Sequence, residues 1–417
     1  MIALDEARQR LFDVLPEVTA EPVRLEDGLG RVAAVDLAAP RDLPVEPRSR
    51  LDGYAVRSDR TADASADRPV RCRLTPWTVT AGHLPFGRLA ADHCARVTTG
   101  AVLPEGADSV VPQEDVLVES DHIVLTHPVK PLSGLTIQGA EARKGDLLVS
   151  AGEVLTPSRL AMVAAFGLEW VPATVRPRVA LLSTGDEVRE PGEPHAPGII
   201  YSNNRFLLGW LARLNGGLPL HLGICRDDPV EISDRLEHME ADLYVTTGGT
   251  GRGDKDVVLN AWSRLGVETV FKGVDISPGR GTLAGLRRGK AYLALPGGPW
   301  AGRIVFEELI KPLLWRFQGI RFRWPPSLKA LLADRVVNEE GGCRALAGEL
   351  YMQRPMATFL PLGRRGGAVL GEVRRSIGYM LLEPDMLEMA AGVEVDVRLF
   401  DLPLSASALL DKGRRSG

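Results

Sequence analysis

The sequence predicts a multidomain α/β plus β protein: a three-layer α/β domain, a β-rich domain inserted ahead of it, and a small β domain towards the C-terminal end. Three observations carry that reading. Between residues 178 and 318 short apolar strands alternate with helical patterns, which implies a mostly parallel sheet covered by helices on both faces. From 49 to 139 the texture is short β-favouring runs separated by Gly, Pro and acidic turns, with no helical period long enough to compete. After Trp324-Pro-Pro-Ser327 short β runs return.

At 417 residues the chain has material for two to four domains, and 45% apolar with 25% charged residues is ordinary for a globular protein. A formal net charge of −4 supplies no global field towards nucleic acid or an anionic membrane. Cys72, Cys94, Cys225 and Cys343 are far apart and the seven histidines lack metal-ligand spacing, so neither a disulfide framework nor a zinc site is expected. The first residues, Met1-Ile-Ala-Leu-Asp-Glu-Ala-Arg8, carry early acids and no long apolar core, unlike a signal peptide. No apolar stretch reaches spanning length. A cytoplasmic protein is expected.

Residues 3–15 read as an amphipathic helix with Leu4, Leu11, Phe12 and Leu15 on one side. A Pro-rich stretch, Pro40 to Pro47, leads into Ser49-Arg-Leu-Asp-Gly-Tyr-Ala-Val56. Strands are expected at Val79–Ala81, Ala95–Thr99, Ser109–Pro112 and His122–His127. Thr156-Pro-Ser-Arg-Leu-Ala-Met-Val-Ala-Ala-Phe-Gly167 reads as a capped helix closed by glycine. The division that follows is a discontinuous helical and linker domain (1–48 with 140–175), the inserted β domain (49–139), the α/β domain (176–322), the last β domain (323–405) and a tail (406–417).

Within the α/β region Arg178–Leu182 is the first strand, followed by a helix near Asn204 to Leu214 and a strand at Leu218–Ile224. Asp228-Pro-Val-Glu231 is a helix start, with a cap, a proline in first position and an acid three residues on. Leu243–Thr246 is a strand, Asp256–Leu265 a helix and Val267–Lys272 a strand. Thr282–Leu286 with Lys290–Leu295 reads as a hairpin, and Trp300–Phe317 as one long apolar helix. In the last region strands are expected near 328–336, 343–350, 357–361, 378–382 and 393–400.

Ligands of open α/β sheets bind beyond the carboxyl ends of the strands. Three such ends stand out: Thr184-Gly-Asp-Glu187, the loop Thr247-Gly-Gly-Thr-Gly-Arg-Gly-Asp-Lys-Asp256, and Pro296-Gly-Gly-Pro299. A Gly-rich turn between strand and helix aims backbone N–H groups at phosphate, although Gly248, Gly249, Thr250 and Gly251 could equally form a tight turn without a ligand. Asp254 and Asp256 could cap the following helix or hold a cation against phosphate. Asp186 and Glu187 could be ordinary turn residues; their convergence with the glycine loop would suit a phosphorylated ligand plus Mg²⁺. Arg280, in Ser277-Pro-Gly-Arg-Gly281, is either a solvated charge or a receiver of an oxyanion.

Taken together, several motifs resemble the molybdenum insertase family, the bacterial molybdopterin molybdenumtransferases related to the C-terminal part of gephyrin. They are Leu51-Asp-Gly-Tyr-Ala55, Ala81-Gly-His83, Thr98-Thr-Gly-Ala-Val-Leu-Pro-Glu-Gly-Ala-Asp108 with Gln113-Glu114, Leu182-Ser-Thr-Gly-Asp-Glu187, Tyr201-Ser-Asn203, the 246–256 loop, Pro278-Gly279 and Leu295-Pro-Gly297. The resemblance spans nearly the whole chain. It implies an α/β three-layer molybdopterin-binding domain with an inserted β domain and a C-terminal small β-barrel domain. It further implies Mg²⁺-dependent hydrolysis of adenylylated molybdopterin to AMP with molybdate placed on the dithiolene. An elongated homodimer is implied too, each active site combining the α/β domain of one subunit with the last domain and inserted region of the other.

By that resemblance Asp52, Thr99, Glu187 and Asp256 match family functional residues, and Glu141 stands where the family usually has an aspartate. Asp52, Glu141, Glu187 and Asp256 are then the expected catalytic residues. Thr99, Thr184, Asp186, Gly248, Gly249, Thr250, Gly251, Ser277, Arg280, Pro296 and Gly297 would hold the cofactor substrate, and Asp256 with Asp254 the metal. An adenylyltransferase and a recipient molybdoenzyme are the implied protein partners. Departures cluster at the oxyanion end. The family's Lys-Pro-Gly-Lys-Pro is Ser277-Pro-Gly-Arg-Gly281 here, and Pro-Gly-Asn-Pro-Val-Ser is Pro296-Gly-Gly-Pro-Trp-Ala301. The usual Ser-Gly turn and Ala-Asn-Gly of the last domain appear as Gly366-Gly-Ala368 and Ser376-Ile-Gly378. Arg280, Arg374 and Arg375 could compensate, since arginine binds oxyanions well. Two alternatives stay open: a paralogue that binds or delivers molybdopterin without hydrolysing its adenylate, and a molybdopterin adenylyltransferase, which the Thr246-Thr-Gly-Gly-Thr-Gly251 loop also resembles.

Overall fold

The structure is a computed structural model that describes residues 1–13, 18–250, 257–320, 327–339, 341–351, 356–362 and 370–401. The chain forms two compact units, one of Met1–Val35, Ser150–Leu160 and Glu169–Gly417, the other of Asp36–Val149 and Ala161–Leu168.

The first unit opens with helix α1 (Leu4–Phe12). Its sheet contains β1 (Arg178–Thr184), β2 (Leu218–Cys225), β3 (Leu243–Thr247), β4 (Glu268–Lys272), β5 (Leu283–Arg287) and β6 (Lys290–Leu295), in the order β2-β1-β3-β6-β5-β4. The neighbours β2-β1, β1-β3 and β3-β6 are parallel, whereas β5 runs antiparallel to both β6 and β4. Helices α2 (Asn204–Leu214), α3 (Pro229–Glu237), α4 (Val257–Leu265), α5 (Pro299–Val305) and α6 (Lys311–Phe317) cover it.

Strand alternation assigns the faces. Val179, Leu181, Leu243, Val245, Leu293 and Leu295 pack with α1, α2, α5 and α6, while Ala180, Leu182, Tyr244, Tyr292 and Ala294 pack with α3 and α4. The result is the three-layer α/β arrangement that the alternating pattern implied. At α3 the anticipated cap is present: Asp228 Oδ1 accepts from the Val230 N–H at 2.8 Å.

The single apolar helix expected over 300–317 is interrupted. Between α5 and α6 lies a π segment, Phe306–Ile310. Pro312 supplies the reason: it has no N–H to give the carbonyl four residues back, and its ring crowds that carbonyl. The freed carbonyl is that of Glu308, and it accepts from Arg8 Nε at 2.9 Å.

The same unit ends in a closed barrel of β7 (Ser327–Leu332), β8 (Arg344–Tyr351), β9 (Ala357–Pro361), β10 (Gly378–Leu382) and β11 (Glu394–Leu399), ordered β7-β9-β8-β10-β11. Each lies where a run of β residues stood in the sequence. Part of the stretch expected as helical and linker is strand: Ala20–Arg24 pairs antiparallel with Trp170–Thr174.

The second unit carries a six-stranded sheet in the order Ser109–Pro112, Gly53–Val56, His93–Val97, Val70–Val79, His122–Leu125, Leu117–Glu119. Where a strand was expected at Val79–Ala81, the strand runs before it, at Val70–Val79. Pro76 and the register shift between Leu74 and Thr78 break the alternation in its second half and disguise it in the sequence. The expected capped helix is present at Pro157–Ala165.

Candidate functional site

Four strand ends meet above the α/β sheet. β1 ends in Thr184 and β3 in Thr247, after which Gly248 and Gly249 turn with φ of +94° and +68°. The Gly248 N–H donates to the Leu295 carbonyl of β6 at 3.0 Å, and the Gly185 N–H to the Cys225 carbonyl of β2 at 3.2 Å. A β-carbon at Gly248 would stand 2.4 Å from the Thr184 carbonyl oxygen, and one at Gly249 3.0 Å from Thr184 Oγ1 and 3.9 Å from Asp227 Oδ1. Glycine is required here by both the positive φ and the close approach.

The turn at Pro296–Gly298 closes the ring. A β-carbon on Gly297 would lie 3.9 Å from Gly248 Cα, and Asn204 Nδ2, at the start of α2, donates to the Gly297 carbonyl at 2.8 Å. Gly281 faces Pro296 and Thr250, its β-carbon position being 3.8 Å from Thr250 Oγ1. Thr184, Gly248, Gly249, Thr250, Pro296 and Gly297 are thus brought together, with Asp186 and Glu187 on the turn after β1. A buried hydroxyl floor supports them, in which Ser183 and Ser202 share a hydrogen bond of 2.9 Å and Thr184 Oγ1 donates to the Thr247 carbonyl at 3.4 Å. Gly251, Asp254 and Asp256 lie outside the described residues.

Asp227 joins this group, although the sequence reading passed over it. Its signal was present: an Asp227-Asp228 pair directly after a strand, of which only Asp228 is needed as a cap. Partial desolvation first, and then the charges of Asp186 and Glu187, push the Asp227 carboxyl above the ordinary carboxylate range, while a hydrogen bond from Thr184 opposes the shift. Asp186, Glu187 and Asp227 thus make this end of the sheet oxygen-rich and anionic. Among the described residues no three metal-ligating side chains are gathered into a cage.

Ser277 is tied to the barrel by its backbone and Arg280 by its side chain. The Ser277 N–H donates to the Cys343 carbonyl at 2.9 Å, and its own carbonyl accepts from Ala345 at 2.8 Å. Arg280 Nη2 donates to the Gly341 carbonyl at 3.1 Å. Both are therefore engaged with the start of β8.

In the second unit the Thr99 N–H and hydroxyl both donate to Asp52 Oδ1, at 2.7 and 3.0 Å. These two bonds, the amide first, hold the Asp52 carboxyl below the ordinary range. The Ala81 N–H donates to Thr98 Oγ1 at 3.2 Å, so the Ala81-Gly-His83 and Thr98-Thr-Gly100 turns are neighbours. Glu141 is exposed on a loop whose N–H groups bind Leu43. A second acid, Asp42, sits at the foot of that loop, accepting from the Lys144 N–H at 2.8 Å and Gln138 Nε2 at 2.7 Å. The sequence offered no motif to mark it.

Comparison with known proteins agrees with this layout. Residues 2–167 match the family model described as the MoeA N-terminal region (domain I and II), and residues 180–316 the one described as "Probable molybdopterin binding domain". The molybdopterin molybdenumtransferase of Haemophilus influenzae is 28% identical over 408 residues, 96% of this chain and 99% of that protein. A crystal structure of the molybdopterin biosynthesis MoeA protein from Pyrococcus horikosii is 31% identical, covers 96% of this chain and 99% of its own, and superposes with a TM-score of 0.86. The molybdopterin molybdenumtransferase of a Nostoc strain is 31% identical over 340 residues, 79% of this chain and 78% of that protein. With the same domains in the same order and that degree of identity, the chain belongs to the molybdopterin molybdenumtransferase family.

Proposed function

We propose that the protein inserts molybdate into adenylylated molybdopterin and releases AMP, with Mg²⁺ as its metal. The observation that carries this reading is the convergence of the Gly248–Gly249 turn with Thr184, Asp227 and Pro296–Gly297. Backbone N–H groups beyond Gly248, whose own N–H is held by the Leu295 carbonyl, would take the phosphate of the pterin substrate. Thr184 and the hydroxyl floor fix the turn, so donors face the substrate without reorganising. Asp227 and Glu187, with Asp254 and Asp256 by family resemblance, would hold Mg²⁺, which would neutralise phosphate charge. Asp52, fixed by Thr99, and Glu141 complete the proposed catalytic set. Arg280 and Ser277 would support the molybdate end, because Gly281 of the same segment approaches Pro296 and Thr250.

The protein is further read as a cytoplasmic homodimer that receives its substrate from an adenylyltransferase and serves a molybdoenzyme. Among the described residues no helix is long and apolar enough to cross a membrane. Sedimentation should give twice the chain mass of 45.1 kDa. The central test incubates purified protein with adenylylated molybdopterin, with and without molybdate, and follows AMP. Molybdate-dependent AMP release is expected. Tight pterin binding with no AMP under any metal or oxyanion tested would replace this reading with that of a carrier.

A further inference from the structure

The two segments that depart most from the family at the oxyanion end are both fastened to the C-terminal barrel. Ser277–Gly281 is joined by backbone bonds to Cys343 and Ala345 and by Arg280 to Gly341. The other segment, Pro296–Ala301, runs into α5. There Trp300, which replaces the family's valine, is buried and meets the Phe400 ring edge-on at 5.8 Å. Phe400 follows the last barrel strand and stacks on Tyr379 at 5.2 Å. One helical turn on, buried Arg303 lies over the same Phe400 ring at 4.2 Å and pairs with Asp401 at 2.9 Å. Beyond it, fully buried Glu308 accepts from Tyr379 and Arg398 of the barrel and from Arg8 of α1.

We infer that the barrel sets the geometry of the oxyanion end, with Trp300, Arg303, Phe400 and Asp401 acting as positioning residues through their grip on the first turn of α5. The inference rests on reading that end as the molybdate end. It also gives the Val-to-Trp departure a physical purpose: a larger aromatic anchor at the point where lysine and serine donors are missing. A turn that lacks charged donors depends more on the exact placement of its backbone N–H groups.

Two mild variants test this in the full-length protein. Phe400→Leu removes the aromatic stack and keeps an aliphatic side chain. Asp401→Asn removes only the charge facing Arg303, and asparagine tolerates the positive φ of 54° at that position. Hydrogen exchange of the amides in 296–301 should quicken about tenfold in each variant while β1 and β3 are unchanged. The KM for molybdate should rise about tenfold, with the affinity for adenylylated molybdopterin kept within about twofold. Unchanged exchange in 296–301 overturns the inference. So does exchange that rises equally in β1 and β3, which is the mark of general loosening, and so does an unchanged molybdate KM. Absence of AMP release from the parent protein would sink the functional reading instead. Exchange confined to 296–301 would still uphold the positioning of the turn.

Discussion

Gly248 concentrates the argument for the site in one residue. Its φ of +94° and the 2.4 Å approach of a built β-carbon to the Thr184 carbonyl leave no room for a side chain. Gly248→Ala should cost roughly 2 kcal/mol or more, of which about 1–2 kcal/mol is the left-handed backbone alone. Urea unfolding measures that cost, and pterin affinity should fall with it; an alanine variant of parental stability and affinity would refute the packing described here. Asp52 supports a second prediction. Its folded pKa is lowered, so the stability it contributes is present above the ordinary aspartate value and is lost as pH falls through the lowered folded one. Thr99→Val removes the hydroxyl donor but leaves the amide, which is the larger cause. Carbon NMR should show the Asp52 carboxyl moving up part of the way, still short of its ordinary range. Gly248 and Asp52 were legible because each lies in a local motif. Asp227 was marked only by its pairing with Asp228, because its meaning depends on Asp186 and Glu187, some forty residues away in sequence, and on two strands that bring them together.

At the scale of elements, apolar period predicted the position of α2, the hairpin β5–β6 and all five barrel strands closely, because each buries one face or one stripe. It could not show the π segment between α5 and α6, since that depends on where the Pro312 ring and the displaced Glu308 carbonyl can go. The interrupted helix also buries charge. Glu307 pairs with Arg303 at 2.9 Å and with Lys311 at 3.0 Å, and all three side chains are almost wholly enclosed. A sequence reading of this helix as simply apolar misses that ladder. Removing its centre strands buried Lys311 and leaves Arg303 with Asp401 alone, so Glu307→Ala should cost about 3–5 kcal/mol in urea unfolding. Glu307→Gln should cost less, because it keeps acceptor geometry for one of the two cations. Equal stability in both variants and the parent would mean that the ladder carries no net weight.

At the scale of the whole molecule, the second unit has the makings of an independent fold. Leu37–Ala38 pairs antiparallel with Leu147–Val149, and Ala39 exchanges backbone bonds with Gly145 and Asp146, so the chain enters and leaves side by side. Its sheet encloses two cores, one around Tyr54, Cys72, Cys94 and Ile123, the other around Ala55, Val79, Val97 and Val110. A third, smaller core joins Ala39 and Ala142 to Phe166, whose carbonyl accepts from Arg41 at 2.7 Å. An excised fragment of residues 36–168, in which Ser150–Leu160 of the first unit serves as the link to Ala161–Leu168, should therefore keep enough buried surface to fold alone. It should give dispersed amide NMR signals and one cooperative unfolding transition. The Asp52 carboxyl should still titrate below the ordinary aspartate range, because both of its donors come from Thr99 inside the fragment. Without the α/β sheet and its glycine turn, the same fragment should neither retain adenylylated molybdopterin nor release AMP. A disordered fragment, or one in which Asp52 titrates normally, would show that this unit needs the rest of the chain to hold its site residues in place.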